Sequence, residues 1–323
     1  MHSLALTRDG KVVGWGYRGD GSIALPERVN GIVSLDSGGE HTVGVRADGS
    51  VMAWGLSDRG QCAVPPSVTG IQQVACGGSH TLARAADGKV FAWGSNIDFT
   101  LAGNVVNQSV VPATLPSVRW VGAGLAHSLA VLTTGQVRGW GMNASGQCLG
   151  TNGSGVPITS TATGTVSVRI LGSTLSGISQ ATGGVSHTLA LRATGAMVAW
   201  GFGGSGEAGV PSGLTGITRI AAGYNHNVAL RSNGTVTAWG SNMYPLSDPS
   251  QSFYSGQAVV PDGLAGVIDV AAGQAHSMAL KSDGTVVCWG SDKDWLGNVA
   301  GQATPPSNLG GVTAIACGDQ NSL

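Results

Sequence analysis

Apolar and polar residues alternate in short runs along the chain, and one run from His276 to Trp289 shows the pattern most clearly. The residues after His276 alternate with a period of two, which predicts a β-strand because successive side chains of a strand point to opposite faces. Asp283-Gly284 predicts a tight turn, since this pair favours the positive φ angles of a two-residue hairpin loop. A second apolar run then ends at Trp289-Gly290, so the stretch predicts an antiparallel hairpin.

This hairpin pattern recurs seven times, and in each copy the tryptophan stands thirteen residues after the histidine, as in His276 and Trp289. The histidines, which are all the histidines of the chain, are His2, His41, His80, His127, His187, His226 and His276. The tryptophans are Trp15, Trp54, Trp93, Trp140, Trp200, Trp239 and Trp289. An internal repeat of this length indicates an array of small structural units that pack on one another.

Two further elements complete each repeat. An apolar run that ends in small residues and glycine precedes each histidine, as in residues 71–77 and 267–273. Beyond Trp-Gly, a segment of variable length leads to Gly-Gln or a related pair such as Gly60-Gln61, and most copies then have a proline. We therefore predict four short antiparallel strands in each repeat.

The combination Gly-x-x-His-(Ser/Thr)-Leu-Ala-Leu, Asp-Gly-x-Val and Trp-Gly resembles the repeat of the regulator of chromosome condensation family. The resemblance extends over essentially the whole chain and implies an all-β, seven-bladed β-propeller over residues 1–323 as one domain. Each blade would have four antiparallel strands and would contain one of the seven tryptophans. Residues 312–318 would pair with the hairpin that begins at His2 and close the ring, which removes open sheet edges.

The repeated histidines and tryptophans have two interpretations. A ring of histidines could hold a metal ion or act as a general base. Seven equivalent blades, however, place equivalent residues symmetrically around a channel, too far apart for one ion. We therefore predict that each histidine is structural and bonds to a neighbouring backbone group, and that each tryptophan is a wedge between blades whose neighbouring glycine permits close approach. We predict no metal, no cofactor and no catalytic residue.

Composition narrows the classes of partner. The net charge is −1 and only 10% of the residues are charged, so we expect no nucleic-acid partner, because nucleic-acid-binding domains usually carry a clustered basic patch. No apolar run is long enough to span a membrane and no secretory leader is recognisable. The five cysteines occupy repeat positions without a Cys-x-x-Cys pair, and we predict small buried side chains.

Four insertions interrupt the basic repeat. Three of them follow Trp-Gly, at residues 95–106, 241–255 and 291–300, and strand order predicts that they share one face with the loops before the histidines. The fourth, residues 149–177, should leave the opposite face as an extra hairpin or edge strand that could make a lateral contact. The candidate partner-binding residues are aromatic or acidic and are Phe99, Tyr224, Tyr244, Phe253, Tyr254, Asp294 and Trp295. The alternative is that these rings cover their own loops.

These observations predict a non-enzymatic protein-binding propeller that uses the face with the insertions. Gly60-Gln-Cys-Ala-Val-Pro65 also resembles the compact repeat of the secreted bacterial β-lactamase inhibitor propeller, which implies enzyme inhibition as an alternative. That inhibitor has aromatic residues in the loops before its histidines, where this chain has one, Tyr224. Further alternatives are a self-associating surface or filament subunit and, from the family name, an exchange factor for a small GTPase. Both chain ends fall inside a repeat, so we expect a piece of a longer protein, with an extracellular or cell-surface location favoured.

Overall fold

The computed structural model describes residues 1–17, 23–26, 29–98, 103–244, 252–294 and 297–318. These residues form 26 strands and contain no helix, so no described helix is long and apolar enough to cross a membrane. Numbered along the chain, the strands are β1 (His2–Thr7), β2 (Val12–Gly16), β3 (Ile32–Ser37), β4 (His41–Arg46), β5 (Val51–Gly55), β6 (Ile71–Cys76), β7 (His80–Ala85), β8 (Val90–Gly94), β9 (Ile97–Asp98), β10 (Asn104–Val105), β11 (Val118–Ala123), β12 (His127–Leu132), β13 (Val137–Gly141), β14 (Ala162–Ser167), β15 (Arg169–Ile170), β16 (Ser173–Thr174), β17 (Ile178–Gly183), β18 (His187–Arg192), β19 (Met197–Gly201), β20 (Ile217–Ala222), β21 (His226–Arg231), β22 (Val236–Gly240), β23 (Val267–Ala272), β24 (His276–Lys281), β25 (Val286–Gly290) and β26 (Val312–Gly318).

Seven antiparallel sheets follow the seven repeats. Six have the strand orders β3-β4-β5, β6-β7-β8, β11-β12-β13-β14, β17-β18-β19, β20-β21-β22 and β23-β24-β25. The remaining sheet has the order β2-β1-β26, in which His2 lies opposite both Gly16 and Gly318. The C-terminal strand therefore completes blade one, as the sequence predicts, and the blades are numbered from this one along the chain.

The first strand of each repeat lies at the centre of the molecule. These inner strands, β26, β3, β6, β11, β17, β20 and β23, each contact the inner strand of the next blade, and the contact between β26 and β3 completes the circle. They line a central cavity of about 290 Å³. The fold is a closed seven-bladed propeller, and the predicted all-β architecture is confirmed.

The hairpin turns form where Asx-Gly or Thr-Gly stands in the sequence. Gly49 and Gly284 have φ angles of 78° and 81°, the left-handed conformation that glycine adopts without steric cost. The Asp283 carboxylate accepts a hydrogen bond from the backbone amide of Thr285 at 3.0 Å, which closes the turn. The resulting register places each histidine opposite the glycine that follows tryptophan, as in His276 and Gly290.

Among the described residues, the fourth strand predicted at Gly-Gln forms in no blade, and the fourth strand that blade four does have, β14, comes from its insertion and pairs with β13. In the other blades the segment after Trp-Gly forms turns instead of a ladder. In blade two, for example, Gly60 has a φ angle of 76° and the carbonyl of Gln61 bonds to a neighbouring blade, while Pro65 has no amide hydrogen to contribute. These features prevent the regular pairing that a fourth strand would require.

The apolar core lies between the blades. Trp93 of blade three packs with Val43 and Val45 of blade two, and Trp54 of blade two packs with Leu4 of blade one. Each tryptophan therefore covers the preceding blade. Seven contacts of this kind hold the ring together. Each joins only two adjacent blades, as expected for a repeat protein.

The segments after Trp-Gly begin beside the loops that precede the histidines. The amides of Ser95, Ser241 and Ser291, at the start of three insertions, donate to the carbonyls of Ser79, Asn225 and Ala275, and the amide of Phe202 donates to that of Ser186, all at 2.8 Å. We call this face the upper face; it bears the loops that join the inner strand of each blade to the strand beginning at its histidine. The insertion at 149–177 supplies β14 and the small hairpin β15-β16 at the outside of blade four.

Candidate protein-binding surface

A ring of hydrogen bonds joins every histidine to the next blade. The Nε2 atom of His41 lies 2.9 Å from the hydroxyl of Thr81, and that of His80 lies 3.0 Å from the hydroxyl of Ser128. The pattern continues around the molecule until His276 meets Ser3, also at 3.0 Å. The acceptor is always the residue after the histidine of the next blade, except in blade one. The predicted bond to backbone is therefore wrong, since the partner is a side chain.

The same side chains bond to a backbone carbonyl and thereby complete a clasp between two blades. The Ser128 hydroxyl donates to the carbonyl of Gln108 at 2.7 Å, and the indole of Trp140 donates to the same oxygen at 3.0 Å. Trp93 and Trp289 bond in the same way to the carbonyls of Gln61 and Gln257, both at 2.9 Å. The Gly-Gln segment therefore receives two donors from the next blade, which the sequence pattern alone did not indicate.

Blade one differs in its clasp. The Nε2 atom of His2 lies 2.6 Å from the hydroxyl of Ser37 and 3.4 Å from that of Thr42. Ser37 ends the inner strand of blade two, where the other blades have cysteine, alanine or glycine. The extra hydroxyl stands at the junction next to the place where the ring closes.

The direction of these hydrogen bonds determines the tautomer of those histidines whose partner hydroxyl donates to a carbonyl, as Ser128 and Thr188 do. A hydroxyl that donates its only proton to a carbonyl can only accept from the histidine, so Nε2 carries the proton and Nδ1 does not. The Nδ1 atoms of all seven histidines are buried without a hydrogen-bond partner. Burial lowers the pKa of His41 to about 4 and of His80 to about 3, and lowers the others similarly. The histidines are therefore neutral structural groups at physiological pH.

The inner strands carry a second set of bonds at the other end of the cavity. The Gln73 side chain exchanges two hydrogen bonds with the backbone of Val121, at 2.9 and 3.1 Å. The Trp120 indole donates to Ala181 O at 3.1 Å, and Arg219 forms an ion pair with Asp269 at 3.8 Å. Each of these contacts joins neighbouring blades, so most polar side chains of the cavity serve the closure of the ring.

Asp36 in the cavity wall likewise joins blade two to blade three. Its carboxylate accepts a hydrogen bond of 2.8 Å from the amide of Cys76, and burial raises its pKa to about 6. In the described part of the chain, no group of three His, Cys, Asp or Glu side chains is placed to hold a metal ion. A single carboxyl group with a backbone partner does not form such a site.

The aromatic residues predicted to form one patch on the upper face differ in their exposure to solvent. The ring of Tyr244 is fully buried and stacks on Phe253, with ring centroids 4.7 Å apart. Met1 and Ala275 complete this small cluster. The structure therefore removes Tyr244 from the candidate contact residues, because its ring stabilises the fold of its own loop. Phe253 is half-buried, and its remaining face is covered in part by the ammonium of Lys293, 5.4 Å from the ring centroid.

The other candidates are placed differently. Tyr254 is exposed over 67% of its surface, whereas Asp294 is buried and accepts a hydrogen bond from the amide of Asn298 at 2.9 Å. Asp294 therefore orders its own loop. Tyr224 is half-buried, and its backbone bonds to Val185 and Gly273 on either side. Phe99 and Trp295 lie outside the described residues.

Phe202 is a residue that the sequence analysis overlooked, because it stands in a short segment without an insertion. It follows Trp200-Gly201 on the upper face of blade five and is exposed over 50% of its surface. Its position in the sequence could have identified it, because the repeat provides no packing partner for an aromatic ring directly after Trp-Gly. Among the described residues, the exposed aromatic rings are Phe202 and Tyr254, and both lie on this face.

Both exposed rings lie beside a glycine. A Cβ atom added to Gly204 would lie 2.5 Å from the tip of the Phe202 ring, and one added to Gly256 would lie 3.5 Å from the Tyr254 ring. Each ring therefore rests on backbone two residues further along the chain. Met243 and Val299, on the neighbouring segments of blades six and seven, add exposed apolar surface.

The cysteines follow the prediction only in part. Cys148 and Cys317 are buried, whereas Cys62, Cys76 and Cys288 are partly buried, and none of the five forms a disulfide. Burial raises the pKa of Cys62 to about 11 and that of Cys288 to about 12. These thiols are accordingly unreactive, because the thiolate is the nucleophile.

Comparison with known protein families identifies the repeats. Residues 32–61, 71–98, 120–147, 217–244 and 267–294 match the model of the regulator of chromosome condensation (RCC1) repeat. Each matched segment begins in an inner strand or at its start and ends beyond Trp-Gly. Five of the seven repeats therefore match the RCC1 repeat, and the predicted resemblance is confirmed.

Solved structures agree with this class. Prp20p from Saccharomyces cerevisiae superposes with a TM-score of 0.70 at 19% identity, covering 98% of this chain and 89% of Prp20p. Human WBSCR16 superposes with a TM-score of 0.65 at 18% identity, covering 98% of this chain and 96% of that protein. The ectodomain of the receptor kinase CR4 from Physcomitrella patens gives 0.59 at 19% identity, with coverages of 90% and 69%. At these identities the similarity concerns the fold. Comparison with curated protein sequences gives no significant match.

Proposed function

We propose that the chain is a protein-binding propeller and that its recognition surface is the upper face of blades five to seven. The observation that carries the proposal is the position of Phe202 and Tyr254. These exposed rings belong to adjacent blades of one face, where Met243, paired with Tyr254, and Val299 of blade seven are also exposed. Aromatic residues and methionine are enriched at the centres of protein interfaces, and contiguous exposed apolar surface usually marks an interaction site.

Each exposed ring lies beside the backbone of a glycine, Phe202 beside Gly204 and Tyr254 beside Gly256. Ordering a flexible side chain at an interface costs free energy, whereas a rigid aromatic ring supplies contact area at a small entropic cost. The closed ring beneath them provides a fixed scaffold for these short segments.

The known propellers of this class support the same general role. The structure of Prp20p was determined together with its binding properties towards Gsp1p and histones, and Prp20 has been crystallised with Kap60. At 19% and 20% identity these proteins support protein binding as a general use of the fold and not a particular partner. The recognition surface we propose carries few charges, so the partner should present an apolar patch.

The test is affinity capture from the lysate and medium of the source organism, with the whole chain as bait. The variant that combines Phe202→Asp and Tyr254→Asp should lose a specifically captured protein at least about tenfold, because hot-spot aromatics dominate interface energies. Ile268→Asp is the matched control, since Ile268 is 50% exposed but is the second residue of the inner strand of blade seven, at the opposite face. Equal capture by the double variant and the control would contradict the proposed surface.

A further inference from the structure

Two asparagine–glycine pairs lie in nearly the same local sequence but in different structures. They are Asn152-Gly153, in Thr-Asn-Gly-Ser of the blade four insertion, and Asn233-Gly234, in Ser-Asn-Gly-Thr of the hairpin turn of blade six. In such a pair the backbone nitrogen of the glycine can attack the side-chain amide carbon of the asparagine, because glycine has no side chain to hinder the approach. The local sequences differ little, so the folded structure decides which pair reacts.

The side-chain oxygen of Asn152 is held by two backbone amides. Its Oδ1 atom accepts hydrogen bonds from the amides of Ser154 at 2.9 Å and Val156 at 3.0 Å. Attack on the amide carbon moves negative charge onto this oxygen, and two N–H donors stabilise such a charge as an oxyanion hole does. The carbon that would be attacked is therefore activated by the fold of its own loop.

The attacking nitrogen is free at this pair. The backbone amide of Gly153 donates no hydrogen bond to any residue that the structure describes, and both Asn152 and Gly153 are exposed to solvent. Water and base can therefore reach the amide proton of Gly153, whose loss makes the nitrogen a nucleophile. Asn152-Gly153 thus combines a free nucleophile with an activated carbon.

Asn233 has a similar side-chain environment but lacks the free nitrogen. Its Oδ1 atom accepts hydrogen bonds from the backbone amide and the hydroxyl of Thr235, at 3.1 and 2.7 Å. The amide of Gly234, however, donates to the carbonyl of Arg231 at 2.9 Å inside the hairpin turn. Attack by this nitrogen would break that bond, so the turn protects Asn233.

We propose that Asn152 is a site of spontaneous deamidation in the folded protein. The nitrogen of Gly153 forms a bond to the side-chain carbon of Asn152, and the bond from that carbon to Nδ2 breaks. The Nδ2 nitrogen leaves as ammonia, with the proton that Gly153 loses. Water then opens the cyclic imide at either of its two carbonyls, which gives aspartate or isoaspartate. Water is the only co-reactant, and nothing is oxidised or reduced.

The reaction changes both the charge and the shape of the insertion. Arg169 is the one charged residue of residues 149–177, so the new carboxylate makes this segment neutral overall. Isoaspartate also lengthens the backbone by one carbon beside Gly172, where an added Cβ atom would lie 3.0 Å from the Cα atom of Gly153. Deamidation therefore alters the outer side of blade four and leaves the upper face unchanged.

The test follows both asparagines while the intact folded chain is incubated at about pH 8, where base removes the proton of the attacking nitrogen. Peptide mass spectrometry measures conversion of amide to acid at each site, and chromatography separates aspartyl from isoaspartyl peptides. Asn152 should convert at least about tenfold faster than Asn233. In the chain unfolded by urea, the two rates should agree within about twofold, because the structural difference is gone.

Gly153→Ala is the control for the attacking nitrogen. A Cβ atom at Gly153 meets nothing within 4 Å and its φ angle lies outside the left-handed range, so the fold should be retained, which circular dichroism checks. The added methyl group hinders the attack and should slow conversion of Asn152 at least about tenfold. Equal rates at both sites of the folded chain, or a faster rate at Asn233, would overturn the proposal. A product without isoaspartate would overturn it too, since direct hydrolysis of the side chain gives aspartate alone.

Discussion

The Nε2 atom of His187 in blade five lies 3.0 Å from the Oδ1 atom of Asn227 in blade six, and the Nδ2 atom of Asn227 lies 2.8 Å from the carbonyl oxygen of Glu207. The carbonyl can only accept, so the amide nitrogen donates to it and the amide oxygen faces the histidine. Asn227 thus separates the two roles that one hydroxyl combines in Ser128 or Thr188. This arrangement shows independently that the histidine donates through Nε2.

Asn227→Ala should lower the stability of the propeller by about 2 to 4 kcal/mol, because it leaves a buried imidazole N–H and loses a bond to a buried carbonyl. Asn227→Thr should cost less than about 1 kcal/mol, since threonine fills the same position in the clasps of His41 and His127. Thermal unfolding followed by circular dichroism measures both variants. Equal losses for alanine and threonine would show that the hydrogen bonds of the clasp contribute nothing.

The buried histidines should make the fold sensitive to acid. Their folded-state pKa values, about 3 for His80 and about 4 for His187, lie below the 6.5 of an unfolded histidine. Unfolding therefore binds protons below pH 6.5, and stability present above that pH is lost as the pH falls towards 4. Each histidine removes about 1.4 kcal/mol per pH unit in this window.

Asp36 opposes this loss over part of the range. Its pKa is raised to about 6, so it favours the folded state as the pH falls from 6 towards its usual value, but it offsets only one histidine. We expect the unfolding temperature to be nearly constant between about pH 7 and pH 8 and to fall steeply below about pH 6. A titration of the histidine ring signals by NMR provides the second measurement. Rings that titrate near pH 6.5 in the folded protein would refute the assignment.

Tyr244 and Tyr254 should respond oppositely to truncation although they stand in one loop. Tyr244→Ala should destabilise the protein by about 3 to 5 kcal/mol, because it empties a fully buried site beside Met1 and Phe253. Tyr254→Ala should change stability by less than about 0.5 kcal/mol, since an exposed side chain is removed. Denaturant or thermal unfolding of both variants gives the comparison. A neutral Tyr244→Ala would show that the ring is not part of the core.

Gly77, at the start of the loop that precedes His80, should not tolerate a larger residue. A Cβ atom at Gly77 would lie 2.2 Å from the His80 ring and 2.5 Å from the backbone oxygen of Gly124 in the next blade. Gly77→Ala should therefore cost at least about 3 kcal/mol, because two blades would have to move apart. Gly310→Ala is the control, since a Cβ there meets nothing within 4 Å, and it should be neutral in the same unfolding experiment.

Glu207 offers a change that should stabilise the protein. Glutamine stands at this position in blades two, three, four, six and seven. Glu207 is fully buried, and its Oε1 atom has no hydrogen-bond partner. Glu207→Gln should raise stability by about 1 kcal/mol, since an amide nitrogen can donate where Oε1 has no partner, as Gln257 and Gln302 do to backbone carbonyls. Gln147→Glu, in blade four, should lower stability in the same assay. A loss on Glu207→Gln would indicate that the carboxylate gains more than the one bond seen here, which the amide of Ser205 donates to Oε2 at 2.8 Å.

The sequence by itself determined the repeat, the hairpins and the closure of the ring, because each of them depends on local pattern. Alternation sets the two faces of a strand, Asp283-Gly284 sets a turn, and a spare inner strand at 312–318 has one hairpin left to join. Each of these patterns can be read from the sequence without knowledge of the tertiary structure.

Only the tertiary structure decided what the repeated polar residues bond to and which rings reach the solvent. The clasp joins residues of different blades, as His80 and Ser128 are brought together by the propeller and not by their order in the chain. Tyr244 and Tyr254 are the same residue type and belong to one insertion, yet Met1 packs against Tyr244 and not against Tyr254. Burial depends on which distant surface a loop meets, so a one-dimensional pattern cannot assign it.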